Sequence, residues 1–113
     1  RYVKEGLENE QQLAVFDLLL KSDLSKSDIK KIKGVAVSLL KELETQIRDV
    51  QDIFSKTSTR DRFKQSIYDF LYDDRTGLPV DAYDEDDLKA KTDHLFHFFE
   101  RRNGNHVGTA GGL

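Results

Sequence analysis

Seven carboxylates fall between residues 73 and 87 of this chain: Asp73, Asp74, Asp81, Asp84, Glu85, Asp86 and Asp87. Such density is where an oxygen-ligated cation or acid–base hydrolysis would be sought. The calcium-loop spacing is not met. Aligning Gly77 with the invariant glycine of an EF-hand puts Tyr72 at the first position and Tyr83 at the twelfth, where acidic ligands are required. Paired-carboxylate hydrolysis lacks a partnered base and a pocket-building segment. Capping and solvation account for most of the cluster. Asp84 is placed to cap a helix whose first turn holds Glu85, Asp86 and Asp87, where the positive end of the helix dipole favours negative charge.

Other reactive side chains are equally sparse. His94 and His97 lie three residues apart and could ligate a metal only with help from elsewhere, while His106 is the sole remaining histidine. On a helical wheel both point away from the Leu88, Leu95 and Phe99 face, as surface or packing residues would. Gly108-Thr-Ala-Gly-Gly112 lacks the Lys-Ser/Thr ending of a phosphate-cradling loop and the strand and helix that flank one. Ser22, Ser25, Ser27 and Ser58 cluster at helix starts, where hydroxyls satisfy orphan backbone donors. The sequence points to no catalysis, metal or cofactor in this chain.

Two patterns suit binding instead. At 100° per residue, Lys26, Lys30, Lys33, Lys41 and Arg48 fall within an arc of about 80° beside an apolar face. The stripe reads either as a solvated helix flank, interrupted by Glu44, or as a track for a phosphate backbone with salt-sensitive, sequence-independent DNA contact. The second pattern is aromatic. Leu95, Phe96, Phe98 and Phe99 span about 160°, more than the roughly 100° one core face needs. Either another helix or the tail covers the excess, or a partner protein does, with Phe96, Phe98 and the neighbouring His97 as the expected interface.

The elements that must position these groups are helices. Three- and four-residue apolar spacing predicts a first helix over Glu8 to Lys21 with Leu13, Phe16, Leu19 and Leu20 inward. Ser25 with Asp28 predicts a reciprocal cap for a second, whose apolar positions Ile29, Ile32, Ala36, Leu40, Leu43, Ile47 and Val50 continue for about seven turns. Gly34 within it is expected to mark a close helix approach. Ser55 to Ser58 is a polar break, and Ser58 with Asp61 repeats the capping pattern before a third helix carrying Phe63, Ile67, Phe70 and Leu71. Gly77, Leu78 and Pro79 predict an ordered corner, with Gly77 at positive φ, Leu78 packed and Pro79 fixing the exit. The fourth helix runs from Asp84 to Arg101 and Arg102, with Gly104 stopping it and residues 104–113 forming a Gly-rich tail. The expected fold is all-α: a compact bundle of four main helices.

Size and composition agree with one domain spanning 1–113. A chain of 113 residues that is 37% hydrophobic is long enough to bury about two thirds of its unfolded surface. It has no cysteine, which excludes disulfides and thiol catalysis, and no apolar run long enough to span a membrane. The formal charge of −3 hides a basic stretch, Lys21 to Lys41, and an acidic one, Asp69 to Asp87. A soluble, cytoplasmic protein is expected. Arg1 stands where an initiator methionine would, and the chain has no Met at all, so it is expected to be a C-terminal piece of a longer subunit.

Three segments in order carry a resemblance: Leu24 to Leu43, Leu71-Tyr-Asp-Asp-Arg-Thr-Gly-Leu-Pro79, and Leu95-Phe-His-Phe-Phe99. Together they resemble the C-terminal helical region of the R (motor) subunit of type I restriction enzymes. The likeness covers roughly Asp17 to Arg101 and is most specific from Thr59-Arg60 to Pro79; the family's preceding aromatic, often Trp, has Phe54 as its counterpart here. The resemblance implies a parent that is an ATP- and magnesium-dependent DNA translocase and endonuclease. It implies that this region docks the motor on the methyltransferase core, the M and S subunits, and it favours the reading of the stripe as a non-specific contact with duplex DNA; a DNA-backbone-binding module with no docking role and a purely structural helical domain are the alternatives. His97 matches a histidine of the family with no catalytic role attached.

Overall fold

Apolar residues spaced three and four apart make a stripe that must be covered, and four helices here cover one another's stripes. The computed structural model describes the backbone of residues 7–111 and the side chains of residues 7–103. Within them lie α1 (Glu10–Leu19), α2 (Lys26–Asp49), α3 (Thr57–Tyr72) and α4 (Glu85–Gly111), with no strand among the described residues. The two main packings are α1 on α2 and α3 on α4, and contacts of α1 with α4 and of α2 with α3 close the bundle. This is the all-α bundle that the periodicity predicts.

Local rules set most of the boundaries. Asn9 caps α1, its side-chain oxygen accepting from the Gln12 backbone at 2.8 Å, so the helix is shorter than the predicted Glu8 to Lys21. At α2 the predicted reciprocal cap is present: Ser25 Oγ accepts from the Asp28 N–H at 3.0 Å, and Asp28 accepts from the Ser25 N–H at 3.3 Å. α4 begins the same way, with Asp84 and Asp87 exchanging backbone bonds of 2.8 and 3.0 Å. The turns before α2 and α3 use Asp23 and Asp52 in the left-handed region, φ 63° and 55°, which aspartate tolerates better than most residues.

Four expectations are corrected. Ser58 does not cap α3; the helix starts two residues earlier, from Lys56, whose carbonyl already accepts from Arg60 N at 2.9 Å. Val50 is the C-cap of α2 and more than a third exposed, not a core position. Gly34 faces open space, with nothing within 4 Å of where a Cβ would stand, so it marks no close approach. Gly104 does not stop the last helix, which continues to Gly111 and leaves Arg101 and Arg102 within it rather than at its end. A mid-helix glycine costs only about 1 kcal/mol and halts nothing unless the chain turns left-handed there. The side chains of the predicted tail lie outside the described residues.

The core holds Val15, Phe16 and Leu19 of α1; Ile32, Val35, Ala36, Leu39, Leu40 and Leu43 of α2; Phe63, Ile67 and Leu71 of α3; and Leu88, Leu95, Phe96 and Phe99 of α4. One end is aromatic. Phe54, before α3, meets Phe63 edge-on at 5.1 Å and Phe96 at 6.0 Å, and Phe63 meets Phe99 at 6.2 Å. No helix among the described residues is long and apolar enough to cross a membrane.

Candidate functional site

The corner between α3 and α4 is built from backbone bonds. Leu71 O accepts from Leu78 N at 3.0 Å, Asp73 O from Gly77 N at 2.7 Å, and Pro79 O from both Ala82 N and Tyr83 N at 3.1 Å. Thr76 Oγ1 adds a bond of 2.8 Å to Phe70 O. Leu78 is buried, as predicted, and Pro79 is buried beside it. Gly77 is needed for a different reason from the predicted one. Its φ is not in the left-handed region; instead a Cβ would lie 2.0 Å from Leu71 O and 2.7 Å from Asp73 O. The chain folds back so closely on the end of α3 that only hydrogen fits.

The corner is also tied to the end of α1, whose last carbonyls have no partner within their own helix. The Tyr83 hydroxyl donates to Leu19 O at 2.6 Å in a buried bond, and Lys91 Nζ donates to Leu20 O at 2.7 Å. Lys21 Nζ bridges Ala82 O at 2.7 Å and the Asp87 carboxylate at 2.8 Å. Positive charge at a helix C-terminus complements its dipole, so Lys91 acts as a remote cap, while Lys21, just past α1, ties that end to the corner and the start of α4. Each environment leaves its mark on titration. Burial pushes the Tyr83 phenol up, with Asp87 and Asp28 adding to it, and burial draws the Lys91 ammonium down. The hydrogen bond from Lys21, and then the Asp84 backbone bond, hold Asp87 below the ordinary aspartate range.

Outside this anchorage the corner opens into a groove of about 780 Å³. Leu71, Leu78, Tyr83 and Leu88 line its buried floor; Tyr68, stacked on Tyr72 at 6.1 Å and 13°, and Val80 line its walls. Tyr72 and Val80 are each 65% exposed, far above other large apolar side chains described here. Asp69, Asp73, Asp74 and Glu85 rim it. Arg75 closes back on Asp73 at 3.1 Å, and that bond lowers the Asp73 carboxyl. Among the described residues, the carboxylates and histidines do not gather three ligands around any one point.

The predicted interface on α4 is corrected at Phe96. Phe96 is 3% exposed, enclosed by Phe54 and Phe63 and covered by the Arg60 guanidinium at 5.1 Å, so it belongs to the core. Arg60 itself is held by Glu100 and by Phe54 O. Phe98 is half-buried beneath Arg102, 5.4 Å above its ring. Arg102 also donates to Gln11, whose amide, oriented to satisfy both neighbours, donates to Glu44 at 3.0 Å. His94 and His97 are exposed, and His97 Nδ1 lies 3.6 Å from Glu100. The wide aromatic arc is therefore absorbed by α3, by the Phe54 turn and by arginine, whose planar face covers rings well.

The stripe lies on α2 as the wheel places it. Lys26, Lys30, Lys41 and Arg48 are exposed and Lys33 is half-buried. None of the four lysines forms an ion pair with a described residue, and Arg48 makes only a 3.4 Å contact to Thr45 Oγ1. Sequence reasoning missed the roles of Tyr72, Val80, Lys21 and Lys91. The stacking of Tyr68 and Tyr72 was legible as a four-residue helical spacing, whereas the bonds of Lys91 to Leu20 O and of Lys21 to Ala82 O and Asp87 had no local signal. Comparison with protein-family models, curated proteins and solved structures finds no match.

Proposed function

We propose that this chain is an assembly domain: a helical module that docks a larger motor subunit on its partners and performs no chemistry itself. The observation that carries this is the pinned corner, which keeps Tyr72 and Val80 65% exposed on a backbone tied down at both ends. Ordered apolar side chains held out into solvent are characteristic of an interface, since a fixed surface loses little entropy on binding. With the resemblance to type I restriction R subunits, the partner is the cytoplasmic methyltransferase core of M and S subunits. ATP, magnesium and nuclease chemistry would belong to the rest of that motor subunit.

The experiment is co-assembly of this chain with the methyltransferase core, with and without duplex DNA, read by analytical gel filtration. Association that is lost on Tyr72→Asp with the fold retained supports docking through the corner, because charge is costly in a desolvated interface. No association under either condition overturns it. A second reading, non-specific contact with duplex DNA, is favoured by the four lysines of the α2 stripe, which are unpaired among the described residues. It can coexist with docking, since the two use different helices.

A further inference from the structure

The corner groove selects a chemistry as well as a shape. Its rim carries Asp69, Asp73, Asp74 and Glu85. Against these stand Arg75, closed on Asp73, and Lys89, which pairs with Glu85 at 2.9 Å. Two cations thus face four carboxylates, and among the described residues the Asp69 carboxylate is bonded only to the neutral Gln65 amide, at 2.8 Å. A phosphate backbone or an acidic peptide would be repelled, while lysine or arginine flanking the groove would be drawn to Asp69 and Asp74. A bare cation is not enough to fill the site, because the walls between those carboxylates are Tyr68, Tyr72 and Val80. They offer contact area to an aliphatic side chain and π faces to a cation.

We propose that the groove between the end of α3 and the start of α4 binds a basic peptide segment of a partner protein: an apolar anchor set against Tyr72 and Val80, with lysine or arginine on either side reaching Asp69 and Asp74. This rests on the docking function proposed above and specifies the partner's chemistry. The rigid corner makes the acceptor preformed, so the segment alone pays the ordering cost.

The test titrates the whole chain with three acetylated, fluorescein-labelled hexapeptides: two leucines between lysine pairs, two leucines between glutamate pairs, and two glycines between lysine pairs. Anisotropy gives affinity, and amide NMR shifts give the place. The lysine–leucine peptide is expected to bind with Kd below about 1 mM, at least about tenfold tighter than either control. Shifts should centre on Tyr68, Tyr72 and Val80, and binding should weaken with salt. Tyr72→Ser and the double change Asp69→Lys, Asp74→Lys should each weaken it at least about tenfold. Those positions are largely solvent-facing, so an unchanged melting temperature verifies the fold. Equal binding of the glutamate-flanked peptide, shifts centred on α2, or a groove occupied by a second copy in sedimentation would each overturn the proposal. A chain that assembles with the methyltransferase core but ignores the lysine–leucine peptide overturns this inference alone. One that binds the peptide and not the core overturns the docking function alone.

Discussion

The corner from Leu71 to Tyr83 and the outer flank of α2 are both dense in charge, and the protein treats them oppositely. Around the corner, charged and polar groups are committed to protein partners: Lys21 to Ala82 O and Asp87, Lys91 to Leu20 O, Arg75 to Asp73. Along α2, Lys26, Lys30 and Lys41 stand in solvent with no ion pair among the described residues. The difference follows from the backbone beneath. A corner and two helix ends leave carbonyls that must be satisfied, whereas the middle of a helix satisfies its own and asks nothing of its side chains. Charge that ties the corner to its neighbours is therefore architectural, while Asp69 and Asp74 on its rim and the lysines of α2 are free to meet something else.

The comparison breaks most readily at Gly77. Gly77→Ala places a methyl group against the Leu71 and Asp73 carbonyls and should destabilise by about 3 kcal/mol in urea unfolding. An unchanged midpoint would mean that the corner relaxes and is not the rigid platform described. Next is Tyr83→Phe, which leaves Leu19 O without its buried 2.6 Å donor and should cost about 1–3 kcal/mol. A cost within error would show that water replaces the hydroxyl and that α1 is anchored by its lysines alone.

A smaller effect sharpens the electrostatic side. Asp87 titrates below the ordinary aspartate range chiefly because Lys21 bonds to it. A carboxyl with a depressed folded-state pKa lends stability that is present above its unfolded value of about 3.9 and is lost as pH falls through the folded value. Lys21→Met should raise the Asp87 pKa in a carboxyl-carbon NMR titration and make the acid limb of the stability curve shallower. The same titration in Lys41→Met, a stripe residue with no ion pair among the described residues, should leave Asp87 where it is.

The least change in stability is expected from the stripe itself. Changing Lys30, Lys33 and Lys41 to Glu should alter the unfolding free energy by no more than about 0.5 kcal/mol per site. If the stripe follows DNA, the same triple variant loses duplex binding, and the parent's binding falls with salt at a logarithmic slope near about −3.6, for about four phosphates neutralised. A salt-insensitive affinity, or one the triple variant keeps, would make the stripe a solvated flank and nothing more.

Much of the fold was legible in the residues because helix formation and capping are decided within a few positions. Ser25 with Asp28 and Asp84 with Asp87 each close bonds across three residues, and the three- and four-residue apolar spacing marks each buried face. The same locality made the corner visible through Gly77 and Pro79. What the corner required of Gly77 was not visible. A glycine that answers a left-handed dihedral and one that answers a carbonyl 2.0 Å from its missing Cβ look alike in sequence.

Tertiary structure alone decided which aromatics face inward and what holds the corner in place. Phe96 and Phe98 are two positions apart on one helix, yet Phe96 is buried because α3 and the Phe54 turn reach it, while Phe98 meets Arg102 and remains half-open. The bonds that tie the corner to α1 join residues 64 and 71 positions apart. Local sequence determined where α2 and α4 start, because a side-chain cap is a matter of backbone donors a few residues away, whereas α3 begins from Lys56 with no side-chain cap to announce it. Only the packed bundle could assign Tyr83 and Lys91 to the carbonyls of α1 and leave Tyr72 outside, because burial depends on which distant surfaces arrive.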